Sequence, residues 1–470
     1  MMDRRLTENE IQYLLDHLEP LYSGASLRQY MWTFDADNPG NSSVDSETES
    51  AALFFPLSAK GLEVSEVITM EEVPVLFPCS NQQHWYSLKG QQVYFHHDIL
   101  KSAFYLLSGY QEYHLRDRDA HGRFPWKSSV QYLLGVTHKP LVNYYFEVIL
   151  EAFEKYCRLN KLEFKRKAMS SPLLFLSHDV DRIKKYTLRN LVISVLQLIG
   201  IKQGSNGFLK QFKLVIDYAW GMVLFRKNPY WTFNEMSDLE QDLHISSTWF
   251  FLEKTKKDNS RYHFNQPKIR NLIEYLFTKG HEIGIHGTLE SSTEEEEMKE
   301  GIRRLNAVCS IPVSGIRQHF LLYDLPVTTR IQIAAGLDYD STLGFAEQPG
   351  FRNSYAYPFR LYDFDNEEPA GIWQLPLNVM DVTLIEYMNV PVEAFSDVIR
   401  ALLVEVSRFK GVFSLLWHNC RLDEKCTPGI KLVYRQLLQE VMLSGYKSVT
   451  GREAVELFRS AGASGRSWSA

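Results

Sequence analysis

Two kinds of hydrophobic periodicity divide the chain. From residue 172 onward, short runs rich in β-branched and aromatic residues recur at Leu173–His178, Ser246–Leu252, Glu282–His286, Val313–His319, Leu337–Ser341, Ile372–Val379, Val412–His418 and Tyr446–Val449. Between most of them apolar positions return every three to four residues, the mark of an amphipathic helix. Pro267–Lys279 opens on proline and stops before Gly280, and Thr293–Val308 carries acidic residues in its first turn. Pro391–Lys410 would bury Phe395, Val398, Ile399, Leu402, Leu403 and Val406 before Gly411 ends it. Strands alternating with helices build βα units around a parallel sheet, and about eight of them in roughly 300 residues predict an α/β barrel or distorted barrel.

The first 165 residues read differently. They hold short alternating segments at Val73–Pro78 and Gln92–His96 and helical patterns at Asp98–Gly109 and Leu141–Cys157. Asp35–Ser50 is an acidic loop of small polar residues. An α+β accessory domain over residues 1–165 is expected, with the barrel over 166–470. After the first barrel strand, an apolar and basic insertion spans about 182–230. It reads as a helical pair packed on the barrel, with a lid or a surface that touches a membrane-bound glycan as the alternative.

A chain of 470 residues exceeds what one core usually holds, and 45% hydrophobic residues suffice for two. The net charge of −6 gives no reason to expect nucleic acid as a partner. Asp3, Arg4, Arg5, Glu8 and Glu10 interrupt any apolar core of a signal peptide, and no run is long enough to span a membrane. Five cysteines without a CxxC pair fit reduced thiols, so a cytoplasmic location is expected.

Chemistry gathers at the strand ends. The runs close in Ser177-His178-Asp179-Val180-Asp181, in His286, in Arg317-Gln318-His319 and in Trp417-His418-Asn419. In a barrel these ends share one rim. Carboxylates, imidazoles and a guanidinium converging there need mutual compensation or a metal, because unpaired charge in a cleft is costly. A GxSxG elbow, a GxxxxGK phosphate loop and an HExxH helix are all missing. The acidic run Glu294–Glu297 reads as a solvated helix start.

These residues carry a resemblance. Residues 172–450 resemble the polysaccharide deacetylase (NodB-homology, carbohydrate esterase) family, metal-dependent hydrolases with a distorted (β/α) barrel that remove acetyl groups from N-acetylated sugars. LFLSHDVD resembles the opening aspartate pair, GHEIGIHG the HxxxH metal motif, Gly315–His319 the arginine motif and Leu416–Asn419 the final histidine motif. The N-terminal portion resembles the region preceding deacetylase domains in one bacterial branch, through Phe104–Tyr113 and Asp117–Phe124. The resemblance implies Asp179 as general base, Arg317 as its holder, His418 as general acid or, equally, as stabiliser of the tetrahedral oxyanion, and Asp181 and His286 as ligands of a divalent ion, Zn²⁺ with Co²⁺ or Ni²⁺ as alternatives. The second histidine of HxxxH is replaced by Glu290, so Glu290 and His319 compete as third ligand. His178 alternates with Asp179 and is expected in the wall. The implied substrate is an N-acetylated amino sugar in a glycan or glycan precursor, and the alternative is an inactive, carbohydrate-binding relative. Some aromatics among Tyr323, Phe345, Phe351, Tyr355, Tyr357, Phe359, Tyr362 and Trp373 are expected in the substrate groove.

Overall fold

The structure is a computed structural model that describes residues 4–36, 53–59, 64, 66–167, 169–202, 207–224, 228–258 and 260–464. Most of the acidic loop expected at Asp35–Ser50 lies outside those residues. Leu173–Val180 (β1) is buried at every position, as a strand covered on both faces must be. It lies inside a ten-stranded sheet with Ser247–Phe251 (β2), Glu282–Gly287 (β3), Gly315–Gln318 (β4), Tyr339–Asp340 (β5), Phe359–Asp363 (β6), Glu368–Gln374 (β7), Val379–Met380 (β8), Val412–Leu416 (β9) and Lys447–Ser448 (β10). The order is β6-β7-β5-β4-β3-β2-β1-β9-β8, with β10 pairing β1. All pairs are parallel except β6 with β7. The order has two ends, so the barrel is open.

The strand expected at Ile372–Val379 is two elements at opposite ends of the sheet. β7 pairs β5 and β6, while β8 pairs β9. Pro376 stands in the crossing between them and has no N–H to continue a ladder. The helices begin at residues suited to their starts, of which Pro267 was expected and the helix Glu8–Leu18 was not. Pro267 opens Pro267–Thr278, Asp98 caps Ile99–Leu107 through the Lys101 N–H, and Thr7 with Glu10 forms a capping box on Glu8–Leu18.

Residues 22–95 contribute a four-stranded sheet of Met31–Asp35, Leu53–Leu57, Gln92–Phe95 and Tyr86–Lys89. Its core, with Phe55, Phe104, Tyr145 and Phe153, is continuous with Tyr323, Leu343, Tyr355, Phe359 and Tyr362 from the later part of the chain. These late aromatics, expected in part to line a groove, are instead buried in that shared core. Each contributes about 1.5–3 kcal/mol by leaving water. After β1 come two helices, Leu188–Leu198 (α1) and Phe208–Val223 (α2), packed on each other.

Candidate metal centre

Asp179 and Asp181 are two apart at the end of β1 and so project to one side of the sheet, whereas His178 projects to the other. There His178 is fully buried, with Nδ1 2.7 Å from the Trp417 carbonyl and Nε2 3.0 Å from Glu240. It is a wall residue.

Arg317, at the end of β4, is fully buried and nearly saturated. Its Nη1 donates to Ser177 Oγ at 2.9 Å and to Asp179 Oδ1 at 3.0 Å. Nε donates to the Ser341 carbonyl at 2.9 Å, Nη2 to Ser341 Oγ at 2.8 Å, and the Phe250 ring lies 4.7 Å beneath. A guanidinium held this way fixes the position of Asp179 through one oxygen. The other oxygen lies 3.6 Å from His286 Nε2.

Asp181, His286 and His319 each offer one ligand atom, and these atoms all lie within 4.8 Å of one another. His286 Nε2 is 3.2 Å from Asp181 Oδ1, and His319 Nε2 is 3.7 Å from Asp181 Oδ2. Two ligands of one tetrahedral ion stand about 3.3–3.6 Å apart, so the set fits a divalent metal. Asp181 Oδ1 is buried without a hydrogen-bond partner. Both imidazoles have the far nitrogen tied, His286 Nδ1 to the Arg317 carbonyl at 2.8 Å and His319 Nδ1 to Asp258 Oδ1 at 2.6 Å. That leaves each Nε2 turned inward, as in sites where a carbonyl or carboxylate orients a ligating histidine. Burial would raise the Asp181 carboxyl, but His319, His286 and His418 hold it well below the usual carboxylate range. Burial would lower His286, but the Asp179 and Asp181 carboxylates raise it.

His418, just past β9, stands on the other side of Asp181, with Nε2 3.8 Å from Asp181 Oδ2. Its Nδ1 is 2.7 Å from Asp381 Oδ1, and its backbone N–H donates to Asp381 Oδ2 at 2.8 Å. Burial would lower this imidazole, but the Asp381 carboxylate outweighs it and the pKa is pushed up to about 10.

The structure thus brings Asp179, Asp181, His286, Arg317, His319 and His418 together. It does not bring Glu290, whose Oε1 is 3.3 Å from Lys257 Nζ and whose side chain is part-exposed. Sequence reasoning missed Asp258 and Asp381. Asp381 follows β8 and would have been found had Val379-Met380-Asp381 been read as a strand end. Asp258 sits in the loop after β2 with no motif around it.

The cluster opens into a cavity of about 320 Å³. Phe320, Leu321, Met380, Val382 and Tyr387 form its apolar side, and Phe320 and Tyr387 are part-exposed at the rim. Arg182, Glu386 and Arg421 add charge to the lining, and the Nε atoms of both arginines are buried without partners. His121 and Arg123 reach in from the N-terminal region. Asp119 holds Arg123, which donates to the Phe320 carbonyl at 3.3 Å and to the Tyr387 hydroxyl at 3.1 Å, while His121 stacks on Phe320.

Residues 7–157 match a family model described as a family of unknown function, DUF7033. No curated protein matches the chain. Two solved structures similar to it are provisionally described as polysaccharide deacetylases. One, from Mycobacterium smegmatis, is 17% identical over 63% of this chain and 95% of its own, with a TM-score of 0.39. The other, from Pseudomonas aeruginosa PAO1, is 14% identical over 61% and 90%, with a TM-score of 0.40. Puue allantoinase is 16% identical over 62% and 91%, with a TM-score of 0.39. These are likenesses at low identity, and the chemistry of the site rests on its own residues.

Proposed function

We propose that the protein is a metal-dependent hydrolase that removes an acyl group, N-acetyl first, from an amino sugar of a glycan or glycan precursor. The observation that carries this reading is the Asp181-His286-His319 set, flanked by the Asp179–Arg317 pair on one side and the His418–Asp381 pair on the other. A divalent ion held there, Zn²⁺ with Co²⁺ or Ni²⁺ as alternatives, supplies Lewis acidity toward the acyl carbonyl and lowers the pKa of bound water toward ~7. Asp179 takes the proton of the attacking water, and Arg317 holds that carboxylate aimed. The water oxygen bonds to the carbonyl carbon, the carbon–nitrogen bond breaks, and His418 delivers its proton to the departing nitrogen. A histidine held near 10 is protonated at neutral pH, as an acid for a poor leaving group must be. Asp381 is a positioning residue that turns His418 Nε2 toward the cavity. Phe320 and Tyr387 at the rim offer faces on which a sugar ring can stack. The motif resemblance supports the same reading, and residues 1–165 would act as an accessory domain that closes one wall through His121 and Arg123.

The test is acetate release from N-acetylated amino sugars, free, oligomeric and nucleotide-linked, by protein reconstituted with each metal in turn. Release abolished by Asp179→Asn, with the metal retained, supports the proposal. Stoichiometric metal with no release from any substrate moves the reading to a carbohydrate-binding protein. No bound metal overturns the site itself.

A further inference from the structure

The hairpin α1–α2 is built inside out for a helix pair in water. Its seam is polar and small: Ser194, Gln211 and Gly221 are the buried positions. Gln211 Nε2 donates to the Ser194 carbonyl at 3.0 Å and to Gln197 Oε1 at 3.1 Å. A Cβ on Gly221 would stand 2.3 Å from the Tyr186 ring, so only glycine permits that approach. Many of the large apolar residues face outward instead. Ile201, Phe208, Leu209 and Val223 are 72%, 68%, 74% and 65% exposed, and Leu188, Ile199, Phe212 and Trp220 are exposed beside them. A pair of this length would normally bury its apolar stripe, and a contiguous exposed patch marks a contact surface.

Charge selects the partner. Residues 184–224 contain Lys184, Lys185, Arg189, Lys202, Lys210 and Lys213 against a single acid, Asp217. Asp217 is engaged at the base of the hairpin by Lys185 at 2.8 Å and Lys425 at 3.0 Å, and Lys185 is held again by Asp423 at 2.6 Å. The remaining basic side chains, Lys184, Arg189, Lys202, Lys210 and Lys213, are exposed. A second copy would oppose this face with the same positive charge, which disfavours a symmetric pairing. With 11 and 16 residues the helices are about 16 and 24 Å long, short of the ~30 Å hydrocarbon core. Among the described residues no helix is long and apolar enough to cross a membrane. Exposed apolar residues and exposed lysines together on short helices suit the plane of an anionic interface.

We propose that α1–α2 docks the protein on an anionic lipid bilayer, its apolar face in the acyl boundary and its lysines among the headgroups. The hairpin springs from Lys185, three residues after Arg182 in the cavity wall, so docking ties the cavity to the bilayer surface. This inference goes beyond the hydrolase reading and stands without it.

The experiment is co-sedimentation of the full chain with vesicles of phosphatidylcholine alone and of phosphatidylcholine mixed with phosphatidylglycerol. Light scattering of the free protein and its circular dichroism accompany each variant. The protein is expected to pellet with the mixed vesicles. Partition should fall at least about tenfold in Phe208→Glu/Leu209→Glu and by a similar factor in Lys202→Gln/Lys210→Gln/Lys213→Gln, with the fold retained. No binding to mixed vesicles overturns the proposal, as does binding that ignores both sets of substitutions. A dimer dissociated by Phe208→Glu/Leu209→Glu would assign the face to a second copy and overturn it as well. Should the glutamate pair unfold the chain, Phe208→Ser/Leu209→Ser gives the same reading.

Discussion

Asp381 turns both oxygens toward His418, Oδ2 accepting from its backbone N–H and Oδ1 facing its Nδ1 while also accepting the Val382 N–H at 2.6 Å. That leaves His418 one free nitrogen, aimed at the cavity, and a raised pKa. Asp381→Asn keeps an acceptor and removes the charge, so the His418 pKa should fall toward its ordinary value. A general acid is active while protonated, so the basic limb of the kcat profile should move to lower pH, with kcat at about pH 8 down by ~10–100-fold. A merely structural role would lower activity without moving the limb, and unchanged metal content excludes loss of the ion. The rivalry for the third ligand is tested at the same scale. His319→Ala should weaken metal retention by at least about tenfold, while Glu290→Ala, whose carboxylate pairs with Lys257, should retain the ion; elemental mass spectrometry of the purified variants checks both. The aspartates, His286, Arg317 and His418 were legible because each ends a strand, where side-chain alternation and a polar run announce it. Asp258 was not legible, because a loop residue reaches His319 only through a tertiary approach of 61 positions along the chain.

Among the elements, buried parallel strands were the most legible, since continuous apolar runs have few other uses. β6 was hidden: Phe359–Asp363 alternates weakly, and its aromatics look like groove residues until the N-terminal region covers them. The helix Glu8–Leu18 shows how that cover is made. Its Tyr13 hydroxyl donates to the Arg360 carbonyl at 2.7 Å, and His17 is satisfied as a neutral ring, Nδ1 donating to the Tyr13 carbonyl and Nε2 accepting the Arg360 N–H. Burial accordingly lowers the His17 pKa from 6.5 to about 4. Between those values the unfolded chain holds the extra proton and the folded one does not. The stability is therefore present in full above 6.5 and lost as pH falls toward 4, by up to about 3 kcal/mol. Denaturant titrations across this window should show that slope in the native chain and a flatter one in His17→Asn.

At the scale of the whole molecule the accessory region and the barrel share more than a boundary. The core around Phe104 and Tyr145 runs without a break into Tyr323, Tyr355 and Tyr362, and the cavity needs Arg123 from one side and Phe320 from the other. Arg352 crosses the same junction as a buried bidentate pair with Glu112, at 2.6 and 2.5 Å, and its Nη1 donates to the Gly344 carbonyl at 3.0 Å. Neither part can leave the other without exposing aromatic surface and an ion pair, so the two should unfold together. Cys157 in the N-terminal core and Cys420 beside the cavity are both buried free thiols and report on the two parts separately. Under pulse labelling across a denaturant series both should become reactive at one midpoint, whereas two midpoints would mean independent domains. Arg352→Leu strands Glu112 as an unpaired buried carboxylate and should destabilise by about 3–5 kcal/mol. Because the loss falls on the shared junction, it should lower both midpoints by the same amount, and a shift of the Cys157 midpoint alone would show that the junction does not couple the two cores.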